Sequence, residues 1–211
     1  SICPLGLPRS LCFELGTRVM SRVVAFVALV LLGPFLLGLV LLLLVCQGKP
    51  VFFHQTRLGQ SKQEFLLIKF RTMKVNDLNP STIGAVAFEH PMVTPLGRWF
   101  RRLRLDELPQ LMNIVKGDMV FVGPRPCLPG QEQEMTPEQR QRFVVKPGMT
   151  GLAEVSGNVL LTQDEQWNLD WRYVQESNVL MDYRICVKTI GVIAVGPSRN
   201  EDYVAETSRL I

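Results

Sequence analysis

Residues 23–46, VVAFVALVLLGPFLLGLVLLLLVC, form an uncharged apolar run, and a Gly33-Pro34 pair interrupts it near its middle. About 18 or more apolar residues in a row are enough to cross the hydrocarbon core of a bilayer as a helix. Proline inside such a helix removes a backbone donor and crowds the preceding turn, so the run is expected to kink there. In lipid the freed backbone groups need other partners. Arg9, Arg18 and Arg22 precede the run, and Lys49, Arg57 and Lys62 follow it. Lysine and arginine concentrate on the cytoplasmic side of a membrane, and here both ends are basic. Two geometries meet these facts. A helix–break–helix that enters one leaflet and returns keeps both basic flanks on one side. A bitopic helix that tolerates its proline puts Ser1–Arg22 on the other.

The rest of the 211-residue chain, about 160 residues, suffices for one domain with its own core. A net charge of +4 suits an anionic membrane surface, where each nearby Lys or Arg contributes about 1 kcal/mol. It is too small and too scattered to argue for nucleic acid, so no nucleic-acid partner is expected. The five cysteines, Cys3, Cys12, Cys46, Cys127 and Cys186, are odd in number and far apart. With no CxxC pair, neither zinc nor a disulfide framework is indicated, which fits a reducing compartment. The apolar run is longer than the core of a signal peptide and no small-residue cleavage site follows it. Residues 1–16 read as a leader of unknown order.

Beyond the run, residues 47–50 carry turn chemistry. Residues 51–55 read as a strand, and 65–73 as its hairpin partner after Leu58-Gly59-Gln60-Ser61. Alternation along that partner places Lys69 and Arg71 on one face. Residues 74–95 read as a loop. Residues 96–105 predict a basic helix with Trp99, Phe100 and Leu103 at helical spacing. A second helix is expected over 106–117, with Asp106 as N-cap, Glu107 and Pro109 in the first turn, and Gly117 as the stop. A short strand over 119–122 leads to Gly123-Pro124-Arg125-Pro126. Helices are expected over 136–143, 167–174 and 182–193, the last amphipathic, and a tight turn over 146–151.

Asp106-Glu107 is the sharpest chemical candidate. At a helix N-terminus the free N–H groups and the dipole favour an ionised carboxylate and also bind phosphate. An ionised aspartate can attack phosphorus and form an acyl phosphate. A neighbouring glutamate can help hold a hard cation such as Mg²⁺. An ordinary helix cap is the alternative reading of the same pair. Arg98, Arg101, Arg102 and Arg104 lie just upstream and could neutralise a diphosphate; with Lys69 and Arg71, Arg101 is the one retained as a phosphate binder. Arg125 sits between two prolines that stiffen its backbone. Lys146 and Thr150, in the 146–151 turn, could also meet phosphate. His54 and His90 are isolated and carry no assigned role. Trp167, Trp171 and Tyr173 read as packing rather than stacking residues.

The segments PVFFHQTRLG (50–59), KFRTM (69–73), LDELPQLMNIVKGDMVFVGPRP (105–126) and KPGMTG (146–151) resemble, in order and spacing, the bacterial sugar transferases. These are the small monotopic phosphoglycosyl transferases, and the resemblance covers about residues 17–195. It implies a mixed α/β, helix-rich monotopic membrane protein. An N-terminal re-entrant broken helix (17–47) would carry a small catalytic domain (48–195) on the cytoplasmic face of the bacterial inner membrane, with a short β-hairpin, amphipathic interfacial helices and a tail over 196–211. Gly33-Pro34 falls where the family has its helix break, which favours the re-entrant geometry. The implied activity moves a sugar-1-phosphate from a UDP-sugar to polyprenyl phosphate, usually undecaprenyl phosphate, and releases UMP. This is the first membrane step of glycan assembly. Asp106 matches the family's nucleophile, Glu107 its partner, and Mg²⁺ the cofactor held by the pair. Lys69, Arg101 and Arg125 match its basic motif positions.

The chain also departs from the family pattern. Gly33 replaces a serine, Ser21 stands where aspartate is common, and LAEVSGN (152–158) replaces a segment that often reads WAQVNGR. That last change leaves the donor sugar open. Oligomeric state is open as well, a homodimer included. Two rivals remain: a membrane-tethered scaffold that does no chemistry, and an enzyme that transfers directly in a ternary complex.

Overall fold

The computed structural model describes residues 9–74, 91–196 and 200–208. Its first element, α1 (Arg9–Gln47), carries the apolar run. Leu15–Gln47 contains a stretch with a mean hydropathy of 3.0 of which only 11 % is buried. A core helix of a soluble domain would be mostly buried, so this surface is suited to lipid. Contact with the rest of the chain is confined to one stripe. Ser21, Ala25, Leu39 and Leu43 are buried; Ala28 and Leu29 pack beside Ala25, and Leu36 and Val40 beside Leu39. Between these groups Val30, Leu31, Leu32, Pro34 and Phe35 are exposed. Contact thus lapses around Gly33-Pro34 and resumes beyond it. The helix itself runs through Pro34 as one element, where the sequence reading expects two helices and a break. A proline cancels one hydrogen bond and bends the axis without having to end the helix.

After α1 the chain forms the expected hairpin, β1 (Phe52–Leu58) and β2 (Glu64–Phe70), antiparallel with Phe52 opposite Phe70 and Leu58 opposite Glu64. The hairpin is fastened to both halves of α1. Leu67 joins a cluster with Ala25, Leu111, Ile114 and Met119, and Phe70 joins one with Leu39, Leu43 and Phe100. Of the 74–95 loop, residues 75–90 lie outside the described residues.

Helix α2 (Pro95–Arg102) starts at Thr94, whose hydroxyl accepts from Gly97 N at 2.9 Å. This satisfies an orphan donor of the first turn. Gly97 lies so close to the Thr72 carbonyl that a Cβ would collide with it. Next comes α3 (Gln110–Lys116), which ends at Gly117 in the left-handed conformation (φ 91°), as expected. Its start differs from expectation: Asp106 is not its N-cap, and Leu105–Glu107 form a separate 3-10 turn ahead of it.

Strands β3 (Val120–Val122) and β4 (Gly148–Thr150) pair in parallel, so 148–150 is a strand rather than part of a tight turn. Gly148 is packed against the Gly123 backbone with no room for a Cβ, which is what lets the two chains pair. The expected 136–143 helix is a 3-10 helix over Gln139–Val144. Helix α4 (Leu152–Ser156) follows β4 at once. Helices α5 (Gln163–Glu176) and α6 (Val179–Val195) contain the two segments predicted helical. Trp167 packs with Leu58, Cys127, Met135 and Phe143, and Tyr173 lies in the core with Leu169 and Ile185. On α6, Val179, Tyr183, Val187 and Ile190 are exposed while Ile185 is buried, so the helix carries apolar side chains on its outward face too and lacks the polar outer face that the expected amphipathic helix would have. Helix α7 (Glu201–Ser208) lies where the sequence reading expects a tail. Val204 joins the core, and Thr207 Oγ1 lies 3.1 Å from Arg172 Nη1.

Candidate active site

The 3-10 turn Leu105–Glu107 owes its shape to Arg104, which takes the left-handed conformation at φ 56° and ψ 18°. For a residue with a Cβ that costs on the order of 1–2 kcal/mol. The reversal brings the Arg104 guanidinium back onto Glu107, with Nη1 3.2 Å from Oε2. Two further cations arrive from other elements. Lys69 of β2 places Nζ 2.8 Å from Glu107 Oε1, and Arg125, from the loop after β3, places Nη2 3.6 Å from the same oxygen. Glu107 is buried. Burial alone would push its carboxyl upward, but Lys69, Arg125 and Arg104 outweigh that and hold it well below the usual carboxylate range.

Asp106 has the opposite environment. It is half-buried and forms no ion pair among the described residues. Burial first, then repulsion from Glu107, push its carboxyl up to about 6, against the pull of Lys69 and Arg101. Adjacent acids with pKa values driven apart are a common sign of divided chemical roles. Glu107 is a fixed anion that organises cations. Asp106 is ionised at neutral pH and uncommitted.

Arg125 is shared between two carboxylates. Its Nη1 lies 3.3 Å from Glu154 Oε1 on α4, and Glu154 is buried. The carbonyl of Arg125 accepts from Arg142, which is itself buried and paired with buried Asp170 at 2.9 Å. Arg57 Nη1 donates to the Pro126 carbonyl at 3.1 Å and holds Gln55 Oε1 with its other nitrogens. Burial first, then neighbouring Arg125, lowers the pKa of Arg57 to about 10.

Of the residues picked from the sequence, Lys69, Arg125, Asp106 and Glu107 come together. Arg101 lies within electrostatic range of both acids, with its Nε 2.9 Å from Thr72 Oγ1. Arg71 goes elsewhere. Strand β2 ends at Phe70, so alternation no longer places Arg71 beside Lys69. Its guanidinium instead donates to the carbonyl of Gln47 at the end of α1, where orphan carbonyls need donors, and to those of Gly48 (2.9 Å) and Lys49 (3.3 Å) just beyond it. Lys146 donates to the Gly117 carbonyl near Arg18 and Arg22. The Thr150 hydroxyl lies 2.7 Å from that of Thr189. His54 is exposed and His90 lies outside the described residues.

Sequence reasoning missed Arg57, Arg142, Glu154 and Asp170, and did not retain Arg104. The Arg104–Glu107 spacing of three was a usable signal. The others meet the site only through tertiary packing.

Residues 13–196 match the family described as "Bacterial sugar transferase". The chain belongs to the bacterial sugar transferase family. It is 33 % identical over 192 residues to the "UDP-glucose:undecaprenyl-phosphate glucose-1-phosphate transferase" of Xanthomonas campestris pv. campestris, covering 87 % of this chain and 40 % of that protein. It is 39 % identical over 148 residues to the "Uncharacterized sugar transferase EpsL" of Bacillus subtilis (strain 168), covering 70 % of this chain and 72 % of EpsL. It is 32 % identical over 196 residues to the "Exopolysaccharide production protein ExoY" of Sinorhizobium fredii (strain NBRC 101917 / NGR234), covering 86 % of each. The chain therefore spans well under half of the Xanthomonas relative and most of ExoY. Two adjacent carboxylates offer oxygen donors of the kind a hard cation takes. Mg²⁺ commonly takes one or two carboxylates and completes its shell with water and substrate phosphates. Among the described residues Asp106 has no ion-pair partner and Glu107 Oε2 pairs with Arg104 alone, so the two carboxylates could share a cation. Among the described residues no group of three or more His, Cys, Asp or Glu side chains could hold a metal ion.

Proposed function

We propose that this chain is a phosphoglycosyl transferase that moves a sugar-1-phosphate from a UDP-sugar to polyprenyl phosphate at the cytoplasmic face of the membrane. The observation that carries the reading is the asymmetry of the pair: Glu107 is held by Lys69, Arg104 and Arg125, while Asp106 has no ion-pair partner among the described residues. The names of the relatives support the substrate class, since the Xanthomonas protein is named for glucose-1-phosphate transfer from UDP-glucose to undecaprenyl phosphate.

Ionised Asp106 attacks the phosphorus that bears the sugar. Its Oδ–P bond forms, the bond to the UMP oxygen breaks, and UMP leaves with that electron pair. An oxygen of polyprenyl phosphate then attacks the phospho-aspartate. The acyl phosphate bond breaks, the carboxylate is restored, and polyprenyl-diphosphate-sugar departs. Lys69, Arg101 and Arg125 offset the charge that builds on the phosphoryl oxygens. Mg²⁺ would be held by Asp106 and Glu107 and would supply further charge neutralisation there. The re-entrant geometry belongs to the same reading. It is supported by the basic residues on both flanks of α1 and by the lapse of contact around Gly33-Pro34. A domain resting on such a helix would keep its site at headgroup depth, where a soluble donor and a lipid acceptor can both arrive.

The test is UMP release from a panel of UDP-sugars, with Mg²⁺ and undecaprenyl phosphate in nanodiscs. Release from one donor supports the reading and identifies the sugar. Trapping phosphorylated Asp106 in the absence of acceptor separates the covalent route from direct transfer. No release from any donor would favour a tethered scaffold.

A further inference from the structure

Arg125 and its loop are held at several points. Prolines flank it, Arg142 holds its carbonyl, Arg57 holds the next carbonyl, and two carboxylates divide its guanidinium. One arm, Nη1, lies 3.3 Å from Glu154, and the other, Nη2, lies 3.6 Å from Glu107. A planar guanidinium anchored through two different nitrogens has its plane fixed as well as its position. Its side chain is nonetheless 38 % exposed, so a face is left for an incoming anion.

Glu154 is the unusual member of this set. It is 4 % exposed, and its second oxygen, Oε2, has no hydrogen-bond partner. A buried carboxylate oxygen without a partner costs on the order of 1–3 kcal/mol. Among the described residues the ion-pair partner of Glu154 is Arg125. Removing one partner of a buried ion pair leaves the other charge less compensated, so Glu154 and Arg125 act as a unit.

We propose that Glu154 is a positioning residue for Arg125. It holds the guanidinium off Glu107 and in the plane from which it meets the donor's diphosphate. This rests on the function proposed above. If Glu154 is removed, Arg125 is left with Glu107 alone. The arginine then closes on that carboxylate and is less available to substrate. The loss should fall on donor binding more than on the chemical step.

The experiment is a double-mutant cycle in steady-state kinetics of UMP release by the full chain in nanodiscs. Glu154→Ala is expected to raise the donor KM roughly tenfold, about the value of one charge-assisted hydrogen bond, with a smaller change in kcat. Glu154→Gln keeps the shape and an acceptor and should fall between Glu154→Ala and the parent. In an Arg125→Ala background, Glu154→Ala should add little, because the residue it acts through is gone. Equal effects of Glu154→Ala with and without Arg125 would overturn the proposal, as would an unchanged KM. If Glu154→Ala melts well below the parent, the cycle is run with Glu154→Gln, where the same non-additivity is required. No UMP release by the parent chain from any donor would remove the proposed function and this role together. Release with an additive cycle would remove this role alone.

Discussion

The ammonium of Lys69 lies 2.8 Å from Glu107 Oε1, and this contact ties the β-hairpin to the turn that carries both carboxylates. Lys69→Met should therefore disturb stability and site together. Losing a hydrogen bond between charged groups at this degree of burial costs about 2 kcal/mol. The sign of its pH dependence follows from Glu107, whose carboxyl is held below its ordinary value. Such a group adds stability that is present above the unfolded pKa and lost as pH falls through the folded one. Weakening the cation set raises that folded value, so acid unfolding of Lys69→Met should begin at higher pH than in the parent. Circular dichroism against pH checks this. Coincident acid transitions would mean that Lys69 does not hold Glu107.

Asp106 should show the reverse. Its carboxyl is pushed up to about 6, so its contribution to stability is present at low pH and lost as pH rises through that value. Asp106→Asn should therefore be more stable than the parent at pH 8, with the difference vanishing near pH 4. Thermal melts at the two pH values measure it. The same substitution should lower UMP release by about 10³-fold or more, as loss of a nucleophile does. Retained turnover would eliminate the covalent route.

The nucleophile must be ionised before donor arrives, so kcat/KM for the donor should fall below about pH 6 with a single protonation. Bound Mg²⁺ would lower that apparent value by favouring the carboxylate. Profiles at two Mg²⁺ concentrations should then separate on the acid side only. Superimposed profiles would argue against Asp106 as a ligand.

What could be read from the sequence follows from the range of the interactions. The apolar run, the hairpin, the Gly117 stop and the helical segment of α6 are each set by neighbours in the chain, and each lies where local pattern puts it. Within the site, Asp106-Glu107 and Lys69 stood out by residue type. The start of α3 was misplaced because the left-handed turn at Arg104 has no glycine to announce it. Strand β4 was hidden because three residues pairing with a segment 28 positions upstream carry no local signal. Glu154, Arg142 and Asp170 were beyond reach for the same reason. They meet Arg125 only after α4, α5 and the 3-10 helix have packed together.

The topology of α1 gives the last prediction. Both its basic flanks should be cytoplasmic if the helix bends back at Gly33-Pro34, and opposite if it crosses. Ser10→Cys, in a chain with the native cysteines replaced, places a label near the N-terminal end of α1. In right-side-out vesicles a membrane-impermeant maleimide should fail to reach it until the membrane is opened, and a control cysteine at Ser61 should behave identically. Pro34→Leu restores the missing helical donor and removes the steric reason to bend. If the proline holds the bend, that variant should shift a fraction of Ser10→Cys to the outer face while Ser61 stays protected. Labelling of Ser10→Cys from outside in the parent chain would establish the crossing geometry and remove the re-entrant one.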